Sequence, residues 1–505
     1  MKRLKLALRI LLFALLAIVA GFAIGVLWPQ ERLLPPRTAG ALAIVDVHVV
    51  DVRAGIVLPR RTVLVEHGRI RAVGTDVALA PAVRRVDGRN RYLIPALWDM
   101  HTHVFAVSPL LDLPLYVAYG VTNVRDMQGC PTPDDPFVAC AEDKRRWTAE
   151  ALAGLRVGPR VVASTSWMAN GPGMVQRLKN VPPYFDTATP DQARRFVRHF
   201  AGKTDAIKVY DRLPRAAYFA LVDEARRAKL DVVGHRPYAV SAIEAAANQK
   251  SIEHARFILQ ESFAGSAELR KATGRAWRED RGRMLEEHDP RLAREIFAAM
   301  RQHGTWYVPT HLTRWVDAYA EDDRVRSDAL LRYLHPLMKR QWLEDLDETL
   351  ADDPSPAARE TYRRFYRKGL ELTGEAHRAG VKILAGTDYI VAGADLHREL
   401  QQLASAGLAA PDVLRTATLH PAEYFGLQGQ YGTVEPGKVA DLVLLDANPL
   451  QDIRNTQRIR AVVFNGNLYD RAALDRISSY VERQARSWTV ACKIVWRFLK
   501  NPGGY

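Results

Sequence analysis

Six residues in this chain are of types that share one chemistry: His101 and His103 in LIPALWDMHTHV, Lys208 in AIKVYD, His235 in VVGHRP, His254 in SIEHARF and Asp388 in LAGTDY. Each sits in or at the end of a short apolar run, where a polar side chain needs a partner to be buried. His101 and His103 are two residues apart, so on a strand they point the same way, roughly 7 Å from each other. Two imidazoles on one face can share an ion. Alone, the pair is equally an exposed histidine beside a hydrogen-bonded one, so its partners decide. Several neutral imidazoles with a carboxylate are the donor set that zinc prefers. Lys208 is the odd member, because an ammonium with an ordinary pKa of about 10.4 repels a cation. A neutral lysine could take up carbon dioxide and become a carbamate that bridges two ions. The alternative is a salt bridge to Asp205 or Asp211.

The runs that carry these residues predict how they are held. YLIPALWDMHTH, GVTNVRDM, PRVVAST, DAIKVY, DVVGHR, SIEHARF, TWYVPTH and VKILAGTD are short and apolar, and helical stretches such as PRAAYFALVDEARRAKL separate most of them. Eight strands alternating with helices predict an α/β fold of the (β/α)8 TIM-barrel type over residues 93–426. Lys208, His235 and His254 are each about one β/α unit apart, and such a barrel gathers its active site at one rim of strand ends. The charged helical stretches from Glu261 to Pro290 and from Val316 to Gly374 exceed what a barrel needs and are expected as insertions over one end. The β-branched runs at 41–92 and 427–470 predict a small β-sandwich domain built from both sides of the barrel.

The remaining segments bear on compartment. Lys2, Arg3, Lys5 and Arg9 precede an uncharged apolar run from Ile10 to Trp28, long enough to cross a bilayer as a helix. Residues 1–30 are therefore expected to be a membrane anchor with its basic end in the cytoplasm and a periplasmic catalytic body. A cleaved signal, for which Gly21-Phe22-Ala23 offers a small-x-small site, would secrete the body instead. Residues 471–505 are expected as an amphipathic basic helix, with Trp488, Cys492, Val495 and Leu499 opposite Arg486, Lys493, Arg497 and Lys500. It suits either an anionic membrane surface or its own domain. Three cysteines rule out a Cys-rich metal site, while Cys130 and Cys140, flanking PTPDDPFVA, suggest a disulfide in an oxidising compartment. The net charge of +14 comes from scattered residues without a nucleic-acid motif, which argues against nucleic-acid binding.

In the order of its motifs the chain resembles the amidohydrolase superfamily, most of all the imidazolonepropionase-like branch that includes zinc prolidases and dipeptidases. RTVLVEHGRIRAVG, LIPALWDMHTHV, GVTNVRDM, IKVY, IEHARF, LAGTD, ATLHPAEYFG and GTVEPGKVADLVLLDANPLQDI carry the likeness. The resemblance implies that His101 and His103 bind the more buried zinc with Asp388, that Lys208 bridges two zinc ions as its carbamate, and that His235 and His254 hold the second. It implies hydrolysis of an amide C–N bond in a small-molecule substrate, a dipeptide or N-acyl amino acid, by a zinc-activated hydroxide with Asp388 as proton shuttle. Two features depart from the family pattern. Ala96 stands where glycine is common, and in His235-Arg236-Pro237-Tyr238 the tyrosine expected to contact a substrate carbonyl is shifted by one residue. His397, in ADLHRELQQL, is expected to orient Asp388 or another ligand. The alternatives are a mononuclear deaminase or cyclic-amide hydrolase, and a membrane-anchored binding protein that has lost catalysis.

Overall fold

A computed structural model describes residues 2–178, 181–272 and 274–501. An apolar helix, Lys2–Leu27, leads to the first strands. β1 (Leu42–Asp51), β2 (Ile56–Glu66) and β3 (Arg69–Gly74) form an antiparallel meander, and β4 (Arg84–Asp87) and β5 (Tyr92–Pro95) run parallel to β1. Both use the same edge of β1, because the strand bulges at Asp46 (φ 58°) between the residues that hold β4 and those that hold β5. After the barrel, β13 (Leu442–Leu445), β14 (Ile459–Phe464) and β15 (Asn467–Asp470) join the same sheet through the β13–β5 pair. The expected sandwich is thus one connected eight-stranded sheet forked at β1, closed on a core that includes Leu42, Ile44, Val63, Leu93, Leu442 and Val463.

Seven parallel strands form the barrel in sequence order: β6 (Leu97–Thr102), β7 (Val121–Asp126), β8 (Arg160–Ala169), β9 (Ala206–Val209), β10 (Asp231–Gly234), β11 (Ser251–Glu253) and β12 (Trp306–Val308). β6 and β7 are buried at every residue, as strands covered on both faces must be. The eighth segment, 381–388, carries no regular ladder. It closes the gap through Leu384 N–H to the Tyr307 carbonyl (2.9 Å), Met100 N–H to the Ala385 carbonyl (2.9 Å) and Asp388 N–H to the His101 carbonyl (2.8 Å). Gly386 is why it fits: a Cβ there would lie 2.7 Å from Val308 and 2.8 Å from His101. Because β5 stays paired with β13 through Pro95, the junction between sheet and barrel falls at Ala96, a few residues beyond the expected 93.

The helical insertions are shorter than expected. Helix Pro356–Arg378 packs beside helices Pro290–His303 and Ala394–Ser405, so it is the barrel's own helix after β12 and the added material there ends at helix Pro336–Asp352. The C-terminal stretch is two helices, Arg471–Ala485 and Trp488–Lys500, because Ser487 leaves the helical conformation (ψ 124°). The first buries Leu474, Ile477, Tyr480 and Val481. The second packs on the end of the N-terminal helix, where Gly25 faces Cys492 and Trp488 and Lys493 Nζ donates to the Val26 (2.6 Å) and Trp28 (3.0 Å) carbonyls. A cation at a helix C-terminus meets carbonyls that lack partners of their own. Cys130 and Cys140 are joined as a disulfide with their Cα atoms 4.7 Å apart, and Cys492 is a half-buried free thiol.

Candidate metal centre

Strand ends bring the histidines and Asp388 together. Asp388 Oδ1 lies 3.2 Å from His103 Nε2 and 3.5 Å from His101 Nε2, and its Oδ2 lies 3.7 Å from His254 Nδ1. His254 Nε2 in turn faces His235 Nε2 at 2.9 Å. One donor atom from each of His101, His254 and Asp388 falls within 4.8 Å of the others. The backbone is strained to achieve this: His254 (φ 71°) and Asp388 (φ 48°) both adopt the left-handed conformation that side chains ordinarily avoid. At Gly234 a Cβ would meet the Val209 carbonyl at 2.4 Å, so its absence lets His235 sit against β9.

The far sides of the rings explain which nitrogens are free. His101 Nδ1 is 2.9 Å from Glu253 Oε2, and Glu253 is locked by Arg125 at 2.9 Å. His235 Nδ1 is 2.8 Å from Asp211, which also accepts from Arg256 at 2.8 Å. A ring that donates its Nδ1–H to a carboxylate presents a lone pair at Nε2. Those lone pairs point at an Asp388 oxygen from His101, acceptor against acceptor, and at His254 Nε2 from His235, while His254 Nδ1 meets Thr310 Oγ1 at 2.8 Å and His103 Nε2 is buried without a well-formed hydrogen bond. Such a cluster is repulsive on its own and satisfied by a cation, so these residues fit a metal.

Burial sets the charges. It pushes His103 and His254 well below their usual range and His235 down to about 4, which leaves the imidazoles neutral, as ligands must be. Burial pushes the Asp388 carboxyl up and charge on His101, His103 and Lys208 lowers it, for a net downward direction in which Lys208 is the part left when the rings are neutral. Lys208 is itself buried on β9, and desolvation lowers its pKa. Neither partner proposed for a salt bridge reaches it, since Asp205 pairs with Arg145 and Asp211 with Arg256. Among the described residues no carboxylate lies within ion-pairing distance of Lys208.

Only His103 and Asp388 are partly open, their side chains 29% and 25% exposed. A cleft of about 730 Å³ with many charged residues in its wall lies beyond His235. Its wall includes Tyr210, whose ring lies 3.8 Å from that of His235, and Tyr238, which stacks on Trp277 and donates its hydroxyl to Asp211 at 3.3 Å. His397 does not belong here. Its ring contacts Thr456 Oγ1 and the Tyr119 carbonyl, each at 3.0 Å, so it holds two outer elements together and orients neither Asp388 nor another ligand.

Five supporting residues escaped the sequence reasoning: Asp99, Arg125, Asp211 in its role beside His235, Glu253 and Arg256. Asp99 accepts from the His101 and Thr387 N–H groups, both at 3.1 Å, tying the first barrel strand to the segment that carries Asp388. Glu253 immediately precedes His254 and Asp211 follows Lys208 by three residues. A carboxylate so close to candidate ligands is a usable signal, although it equally suits a charge at a strand end.

Residues 92–469 match the model of the amidohydrolase family. The chain belongs to that family. It is accordingly a hydrolase of carbon–nitrogen bonds, of a kind whose members typically depend on metal. Among solved structures this amidohydrolase is similar to a bottromycin amidohydrolase at 24% identity and a TM-score of 0.68, with 88% of this chain and 90% of that chain covered. A Xaa-Pro dipeptidase with methionine bound in its active site gives 18% identity and a TM-score of 0.60, covering 85% of this chain and 100% of the other. A prolidase complexed with N-methylphosphonate-L-proline gives 21% and 0.57, with coverages of 85% and 100%. At these identities the likeness concerns the fold. No curated protein is similar enough in sequence to match the chain.

Proposed function

We propose that this amidohydrolase uses zinc to cleave the amide bond of a small peptide or N-acyl amino acid outside the cytoplasm. The observation that carries the proposal is the convergence of His101, His103, His235, His254 and Asp388, with lone pairs turned inward and the outer nitrogens of His101 and His235 pinned by carboxylates. His101, His103 and Asp388 would hold one ion, and His235 and His254 a second. Lys208, carbamylated in its buried position, would bridge them. Zinc would supply an activated water and polarise the substrate carbonyl.

The chain's own residues carry the rest. Asp388, ionised and partly open, accepts the proton that the attacking water loses and returns it to the departing nitrogen. Glu253 and Asp211 keep the imidazoles oriented. Tyr238, in the wall of the cleft with its hydroxyl on Asp211, would meet the substrate there despite its shifted position in the motif. A second reading, a one-metal cyclic-amide hydrolase, draws on the close grouping of His101, His254 and Asp388.

The apolar length of the N-terminal helix, its exposure, and the Cys130–Cys140 disulfide support a membrane-anchored body in an oxidising compartment. Screening zinc-loaded protein against dipeptides, N-acyl amino acids and lactams for release of a free amine tests the reaction. Turnover of linear amides is expected; turnover of lactams alone would favour the second reading, and inertness towards all three would refute both.

A further inference from the structure

A second cavity, more apolar than the first, opens beside Phe105 and Ile390 at the barrel rim. It has a volume of about 470 Å³ and runs between the barrel rim, the disulfide loop, helix Pro336–Asp352 and the C-terminal helix. Phe105 and Ile390 line its inner end, each two residues beyond a site residue, His103 and Asp388. The Phe105 ring lies 6.3 Å from that of His103. Leu337, Trp342 and Phe498 line the rest, and Phe137 bridges the two ends, its ring 4.8 Å from Phe105 and 6.2 Å from Phe498.

The outer end belongs to the part of the molecule nearest the N-terminal helix. The helix that supplies Phe498 also leaves Trp488 (55%), Trp496 (40%) and Leu499 (60%) exposed, and Trp496 packs on Phe22 of the N-terminal helix at 6.4 Å. Together with exposed Trp28 and the cations Lys500 and Arg497, the latter also at the groove's edge, these residues have the composition of a helix resting in the headgroup region of an anionic bilayer. The apolar groove therefore ends at one side on the helix that packs on the N-terminal helix and at the other on Phe105, whose ring neighbours that of His103. The first cleft, beyond His235, holds Arg177 and Arg212, which have no ion-pair partner among the described residues.

We infer that the substrate is an amphiphile drawn from the bilayer: an amide whose acyl part is a long hydrocarbon chain lying in the Phe105–Phe498 groove and whose amine part carries an acid group met by Arg177 and Arg212. The inference rests on the amide-hydrolysis reading above and names its substrate class. Water adds across the C–N bond, hydroxyl to the acyl carbon and hydrogen to nitrogen, giving a fatty acid and a free amino acid. A groove of this size is in the range of small-molecule sites, and its apolar lining matches the chain and not the head of such a molecule.

The test uses the full zinc-loaded chain in nanodiscs of phosphatidylethanolamine and phosphatidylglycerol, with N-acyl amino acids from acetyl to hexadecanoyl. kcat/KM should rise with chain length, by up to about fourfold for each methylene buried. Leu337→Asp and Phe498→Asp, at exposed positions on the groove wall, should flatten that dependence, lowering the dodecanoyl rate at least about tenfold relative to the acetyl rate. A dodecanoyl analogue bearing a diazirine on its chain, irradiated with chelator-treated protein, should label peptides containing Phe105, Phe137, Leu337 or Phe498. Equal rates for all chain lengths, an unaltered length dependence in both variants, or labelling elsewhere would overturn the inference. If no amide is cleaved while the groove is labelled, the groove stands as an acyl site and the amide reading fails.

Discussion

Asp388 has the most to do in the smallest space. Its carboxylate touches three imidazoles, its N–H is bound to the His101 carbonyl, and its own backbone is in the left-handed region (φ 48°). Asp388→Asn keeps the size and the backbone hydrogen bond but cannot take a proton. Turnover should fall about 10³-fold, within the range of lost general acid–base catalysis, while the melting temperature stays close to that of the unaltered protein; kinetics beside thermal unfolding check this. Near-normal turnover would remove Asp388 from the mechanism. At this scale the sequence was informative about which side chains come together, because histidines stand out within VVGHRP and WDMHTH. It was uninformative about Glu253, Asp211, Arg125 and Arg256, whose pairings depend on which side of a strand end each residue turns to. It misplaced His397, since a helical histidine shortly after Asp388 in sequence is carried away from it by the turn at 389–393.

Elements show where local pattern and fold part company. The parallel strands were legible from short apolar runs, yet the eighth never becomes a strand because Gly386 presses its backbone onto β6 and Asp388 turns out of extended conformation. Gly386→Ala tests that reading. The new methyl would have to displace His101 or Val308, so stability should fall by about 1 to 3 kcal/mol and metal affinity should weaken with it, measured by denaturant unfolding of the metal-free form and by metal titration. An unchanged protein would show that this close approach is not required. The break between the two C-terminal helices carries neither proline nor glycine, and Ser487, a residue type favoured at helix starts, was its one sequence signal. The forked sheet depends on the bulge at Asp46, which no alternation of side chains announces.

The whole molecule buries neutral imidazoles well beyond the metal centre. Burial holds His397 at about 4 and His311 at about 3, against roughly 6.5 when unfolded. Between those values the unfolded chain binds protons at these rings that the native one does not, so the two imidazoles favour unfolding in acid, whereas Glu399 and Asp395, which burial pushes up to about 8 and about 7, act in the opposite sense. At about 1.4 kcal/mol per pKa unit, the two imidazoles account for roughly 3 and roughly 5 kcal/mol across that window. Metal-free protein should therefore lose stability between pH 6 and 4 relative to a variant carrying His311→Gln and His397→Gln, and a difference that does not change with pH would mean that these rings are protonated or exposed when folded. Two sheets joined at Ala96, a barrel closed by a segment lacking a ladder, and helices at both ends that meet at Gly25 and Cys492 together place a cation-seeking cluster near a charge-lined cleft and an apolar groove. The central claim is that this cluster is a two-metal hydrolytic centre. It is tested most directly by the metal content of zinc-reconstituted protein beside Lys208→Ala. About two ions per chain, falling to one in the variant, is the expected result; a chain that binds no zinc, or a variant that keeps the full complement, would contradict it.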